Sequence, residues 1–203
     1  VKLGGNSSED GLLRSNLSAE NHEQKMQDAR AEIVLDMKHL STSDPKKLSD
    51  RLQPLIAAYK LWIEGQERQL RPTAGNGQAR AQEVQSRLQA YYKTLTRLEE
   101  GINLLKRRPD AAQAFAFMNR TMWLQNIHYL HAQERQSNSN AEPLSVDRPE
   151  NYRWEPFQLA FLLLAIPALT NLHHLDRSAV ADLFWSLPGV NKTNVYLGLM
   201  AYD

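Results

Sequence analysis

Apolar residues recur along most of this chain at the three- and four-residue spacing of amphipathic helices. From Ser18, a suitable N-cap, Met26, Arg30, Ile33, Met37 and Leu40 fall on one face and predict a first helix. Ser43-Asp44-Pro45 predicts the start of a second, with Pro in the first helical position. Leu48, Leu52, Leu55, Tyr59, Trp62 and Leu70 form its stripe, with Gln66 in the missing place and Pro54 placed to kink it. Arg71-Pro72-Thr73-Ala74-Gly75-Asn76-Gly77 is a break. The third helix, from Gln78 to Arg107, carries the most regular pattern. Val84, Leu88, Tyr91, Leu95, Leu98, Ile102 and Leu105 alternate spacings of four and three, the seam of a helical hairpin or coiled coil. About 30 residues make a rod about 45 Å long. Helices two and three are expected to pair antiparallel.

Pro109-Asp110 opens a fourth helix reaching about Gln136. Phe115, Phe117, Met118, Met122, Trp123, Leu124, Ile127 and Leu130 cover more than one stripe, so burial on several sides is expected. A polar stretch follows, and residues 137–150 are read as a linker between a helical module at 18–136 and a second unit at 151–203. In that unit, Pro156 to Leu169 predicts a buried helix ended by Pro167 and Asn171. Ala181 to Leu187 predicts the one strand, and Thr193 to Tyr202 the last helix. Residues 1–17, with Gly4, Gly5 and Gly11, predict a flexible arm.

Composition narrows the function classes only a little. A net charge of +1 gives no overall field toward nucleic acid or membrane, so nucleic-acid contact requires a local patch. The chain has no Cys, which excludes disulfides and thiolate metal sites and suits a reducing cytoplasm. The apolar run Leu159–Leu169 is too short to span a bilayer. The first residue is Val and the chain stops within its last helix, which leads us to expect a piece of a longer protein.

The chemistry concentrates near the end. Phe184-Trp185-Ser186-Leu187-Pro188-Gly189-Val190-Asn191-Lys192-Thr193 has the layout of a phosphate-binding loop: an apolar stretch, a turn, then Lys-Thr opening a helix. The pattern G-x-x-x-x-G-K-[ST] asks for Gly at 186 and 191, where this chain has Ser and Asn. Only Gly189, Lys192 and Thr193 fit. Elsewhere, His128 with His131, and His173 with His174, lack a carboxylate at fixed ligand spacing. Lys106-Arg107-Arg108 at a helix C-terminus suits a solvated complement to the dipole better than a phosphate contact. Trp62, Trp123 and Trp154 sit among Leu and Met at helical spacing and read as core rather than base-stacking platforms.

Four longer segments carry a family resemblance: Tyr59 to Arg68 (YKLWIEGQER), Leu98 to Leu105 (LEEGINLL), Ala114 to Met122 (AFAFMNRTM) and Arg153 to Leu164 (RWEPFQLAFLLL). Their order is similar to that in the helicase subunit of DISARM anti-phage defence systems, the DrmA-like proteins. The family's loop, L-W-F-P-T-G-G-G-K-T-E-A-Y-L-G-L, aligns without a gap to Phe184–Leu199. Trp185, Gly189, Lys192, Thr193, Tyr196, Leu197, Gly198 and Leu199 match. The resemblance covers roughly residues 50 to 203 and implies a superfamily 2 helicase or translocase driven by ATP and Mg²⁺ on DNA. It also implies a second defence-system subunit as partner, and no membrane.

By that resemblance Lys192 contacts the β/γ-phosphates, Thr193 binds Mg²⁺ and Gly189 lets the backbone approach. Gln158, in the setting R-x-x-x-F-Q with Arg153, resembles the glutamine that reads adenine. Ser186, Leu187 and Pro188 replace the family's F-P-T, Val190 and Asn191 replace two glycines, and Asn194 replaces Glu. Asn191 tolerates positive φ, but these side chains crowd the β-phosphate and Pro188 removes a donor. This sequence ends before any acidic motif or arginine finger for hydrolysis, so this stretch alone is not expected to hydrolyse ATP. The expected fold is mainly α, a helical module with a long antiparallel hairpin, followed by the start of a RecA-like α/β motor domain. The alternative is a non-catalytic interaction subunit, or a decayed paralogue, that keeps the scaffold without nucleotide.

Overall fold

The computed structural model describes residues 20–70, 78–140, 142, 145–183 and 192–203. Among these residues the chain is helical, with no strand. The elements are α1 (residues 20–31), α2 (Met37–Leu40), α3 (Pro45–Leu70), α4 (Gln78–Arg107), α5 (Pro109–Ser137), a 3₁₀ turn (Pro149–Tyr152), α6 (Pro156–Thr170), α7 (Asp176–Ala179) and α8 (Thr193–Tyr202). The arm at 1–17 and the turn at 71–77 lie outside the described residues.

The first helix departs from the expectation. One continuous stripe through Leu40 becomes two helices separated at residues 32–36. The cause is a distant stretch of chain. Asp36 forms an isolated antiparallel bridge with Arg153, and the Trp154 N–H donates to the Leu35 carbonyl at 2.9 Å. Backbone groups that a longer helix would pair internally are thus satisfied across the fold. Asp36 then caps α2 by accepting from the His39 N–H. The stripe keeps its purpose, since Ile33, Met37 and Leu40 are all buried.

α3 begins where Asp44 accepts from the backbone N–H groups of Lys46 and Lys47. It runs unbroken through Pro54. α3 and α4 form the antiparallel hairpin. Lys60 pairs with Glu99 at 2.7 Å, Tyr92 donates to Glu67 at 2.8 Å, and Trp62 meets Tyr91 edge-on at 4.8 Å between ring centroids. Only the last part of the α4 seam is buried: Leu95, Leu98, Ile102 and Leu105. Val84, Leu88 and Tyr91 are half-buried, because the distal half of the hairpin has two helices to share its apolar stripe and the proximal half has more.

The proximal half of α4 packs on α6, which packs in turn on α8, and α5 packs on α8 and α2. α6 is apolar nearly all round and buries Leu159, Leu162, Leu163 and Ile166. Gly101 makes the α4–α6 contact possible, since a Cβ there would overlap the Leu163 carbonyl oxygen. Residues before and after the 137–150 stretch enter one core. That stretch is itself pinned. Asp147 pairs with Lys38 at 2.7 Å and accepts from the Trp123 indole at 3.1 Å, while the Lys38 ammonium lies 4.7 Å from the Trp123 ring centroid.

The predicted strand at Ala181–Leu187 is not formed at Ala181, Asp182 or Leu183, and its remainder lies outside the described residues. A lone extended segment is stable as a strand only beside another. Here Asp182 is instead bound by the Arg97 side chain of α4.

Candidate functional site

The proposed nucleotide residues sit at the starts of two packed helices. Thr193 is the first residue of α8, and Lys192 immediately before it supplies no side-chain cap. Both are exposed. A helix start of this kind presents backbone N–H groups and a partial positive charge toward an anion. Gly189 lies outside the described residues.

Gln158 occupies the first turn of α6. It is buried, and its side-chain oxygen accepts the Glu155 backbone N–H at 2.9 Å. That bond is the reaching-back arm of a capping box, which satisfies an otherwise orphaned donor. Arg153, adjacent in the predicted motif, is exposed and bridges Asp36 through its backbone. The amide of Gln158 therefore has a structural task whatever else it does.

Contacts between α6 and α8 advance in the same sense along both helices. A Cβ on Gly198 would lie 3.4 Å from Leu162, and the Thr170 and Tyr202 hydroxyls are 2.6 Å apart. The two helices therefore run in the same general sense, with Gln158 and Thr193 in their first turns. Behind them the Trp154 ring fills the space that a side chain at Gly198 would need, at 3.1 Å from such a Cβ.

Between α6 and α8, the segment from Asn171 to Leu183 is attached by charge. Arg97 on α4 donates from Nη1 and Nη2 to the two carboxylate oxygens of Asp182, at 2.7 and 2.6 Å. Its Nε lies 2.8 Å from an Asp176 oxygen, and Nη2 reaches the Leu164 carbonyl at 3.4 Å. The hydrogen bonds to Asp182 raise the Arg97 pKa above its ordinary value against the opposing effect of burial, and the same contacts hold the Asp182 carboxyl below the usual carboxylate range. One turn away, His174 Nε2 meets Glu100 at 3.0 Å, and Arg177 donates to the Ala168 carbonyl.

Sequence reasoning missed Arg97, Asp176 and Asp182. No local pattern marks them, because Arg97 and Asp182 are 85 positions apart and helical spacing carries no signal for such a pair. Among the described residues, no group of three or more His, Cys, Asp or Glu side chains could hold a metal ion. Nor is any helix among them long and apolar enough to cross a membrane.

The fold and its helix-start residues describe a mainly α module. No family model matches the chain. Over 163 residues, covering 78% of the chain, it is 36% identical to the DISARM protein DrmA of Bacillus paralicheniformis, and it is a DrmA-like relative. The matched region spans 13% of that protein's length.

Proposed function

We propose that this chain works in DISARM-type phage defence as part of an ATP-dependent DNA motor, with the nucleotide taken at the start of α8. The observation that carries this reading is the 36% identity to DrmA over most of the chain. It is supported by Lys192-Thr193 opening α8, and by Gln158 lying in the first turn of the neighbouring helix. In this reading Lys192 contacts the β/γ-phosphates, Thr193 holds Mg²⁺, and the chain after α6 is the opening of a RecA-like motor domain.

The test is calorimetric titration of the 203-residue chain with Mg-ATP, beside Lys192→Ala. Binding lost in the variant supports the motor. Absence of binding in the unmodified chain sinks the nucleotide assignment.

A second reading has its own support. The distal hairpin, residues 64–70 and 80–94, contains no fully buried side chain, and Ser186, Val190 and Asn191 stand where the phosphate-loop pattern and the family have other residues. An interaction scaffold without nucleotide fits both. It predicts that a partner subunit still binds after Lys192→Ala, and that binding is lost when the hairpin tip is removed.

A further inference from the structure

The segment from Asn171 to Leu183 buries almost nothing. α7 has no buried residue, and Leu172, Leu175 and Leu183 are 74%, 80% and 89% exposed. Apolar burial therefore does not fix its position. What fixes it is polar: the Arg97 fork on Asp182, the Arg97 Nε against Asp176, His174 on Glu100, and Arg177 on the Ala168 carbonyl. Two of these four attachments belong to one side chain, and Arg97 is the best shielded of the charged groups, with its side chain 14% exposed. A segment held this way has a local opening free energy well below that of the whole fold.

Arg97 projects from the proximal half of the hairpin helix α4, and Asp182 lies ten positions before Lys192. We propose that Arg97 is a positioning residue. It latches the segment from His174 to Asp182 onto the hairpin, and so couples the hairpin to nucleotide affinity at Lys192 and Thr193. This rests on the nucleotide reading above. A guanidinium suits the task because its planar fork engages the Asp182 carboxylate with two donors while its delocalised charge also faces Asp176. Lys would keep the charge and lose the fork.

The experiment measures amide hydrogen exchange and Mg-ATP affinity on the 203-residue chain, for the unmodified protein, Arg97→Gln, Arg97→Lys and Lys192→Ala. Arg97→Gln is expected to speed exchange in residues 174–183 by about tenfold or more, leave α4 and α6 protected, and weaken Mg-ATP binding several-fold. Arg97→Lys should recover part of both effects. Lys192→Ala should abolish binding with exchange at 174–183 unchanged. Exchange unaltered by Arg97→Gln would overturn the latch. Faster exchange with unaltered ATP affinity would overturn the coupling. An unmodified chain that binds no Mg-ATP would instead overturn the nucleotide reading, and the coupling with it, while the exchange result still decides whether Arg97 latches the segment. A merely structural arginine would lower thermal stability and protection throughout α4 and α6, which also counts against the proposal.

Discussion

The indole N–H of Trp154 donates to the Asn119 side-chain oxygen at 2.8 Å, and the Asn119 amide donates in turn to the Phe115 carbonyl at 2.9 Å. Trp154 is 1% exposed and Asn119 fully buried. This is a polar link through the core. It joins α5 to the turn that opens α6, and the same tryptophan packs where Gly198 of α8 leaves room. Three elements thus depend on one ring being held at one angle. Asn119→Ala strands a buried indole N–H, a loss of about 1–3 kcal/mol. Trp154→Phe removes the donor and leaves the Asn oxygen unpaired. The double change Asn119→Ala/Trp154→Phe should cost less than the sum of the two single changes, because both unpaired groups disappear together. Urea unfolding of the set gives the answer, and strict additivity would mean the bond contributes nothing specific.

Two helical glycines should respond in opposite directions to alanine. At Gly101 the new Cβ would overlap the Leu163 backbone carbonyl, so α4 and α6 must move apart. The cost is about 1–3 kcal/mol as overpacking, more than the gain of up to about 1 kcal/mol from helix propensity. At Gly65 the nearest atom is the Nε2 of His22, at 3.0 Å, the end of a side chain that can swing. Gly65→Ala should therefore be neutral or stabilising. Melting temperatures of the two variants test the pair, and a stabilised Gly101→Ala would show that the helices approach less closely than described.

Much of the helical layout was legible because its signals are local. Asp44-Pro45 and Pro109 mark helix starts that the structure keeps, and Thr193 opens the last helix as expected. Trp154 reads correctly as core. What the sequence hid was decided by distant chain. The break at 32–36 exists because Arg153 and Trp154 supply backbone partners. Phe117, grouped with the buried face of α5, is 62% exposed, since the surrounding helices cover only part of the circumference of α5. The capping role of Gln158 had a local signal, a residue at N3 able to reach back. Glu in the N-cap place, where Ser, Thr, Asp or Asn is usual, disguised it.

Acid should release the segment that Arg97 holds. The Asp182 carboxyl is kept below its ordinary pKa chiefly by the hydrogen bonds from Arg97, against the raising effect of burial. A lowered folded pKa means that the contribution is complete above the unfolded value of about 4 and is lost as pH falls through the lower folded value. Neutral pH therefore favours the latched segment. A carboxylate ¹³C titration should place the Asp182 midpoint below that of exposed aspartates, and Arg97→Gln should move it upward. Because Asp182 is only partly buried, the shift should shrink as salt rises. A midpoint at the ordinary value in the unmodified chain would mean that the ion pair is not formed in solution.

Gln158 offers the sharpest separation of structure from function. Its side-chain oxygen closes the start of α6 on the Glu155 N–H. An adenine reader would also need its amide as a donor. Gln158→Glu keeps an acceptor in the first helical turn, where negative charge is favoured, and removes the donor. Gln158→Ala removes both, and should cost about 1 kcal/mol through the lost cap. If Gln158 reads adenine, the glutamate variant should bind Mg-ATP and Mg-GTP with similar affinity while the unmodified chain prefers ATP. If the residue serves only as a cap, the glutamate variant should keep the unmodified chain's nucleotide preference, and the alanine variant should lose stability without changing it. Parallel titrations with the two nucleotides, alongside urea unfolding of the same proteins, decide between the roles.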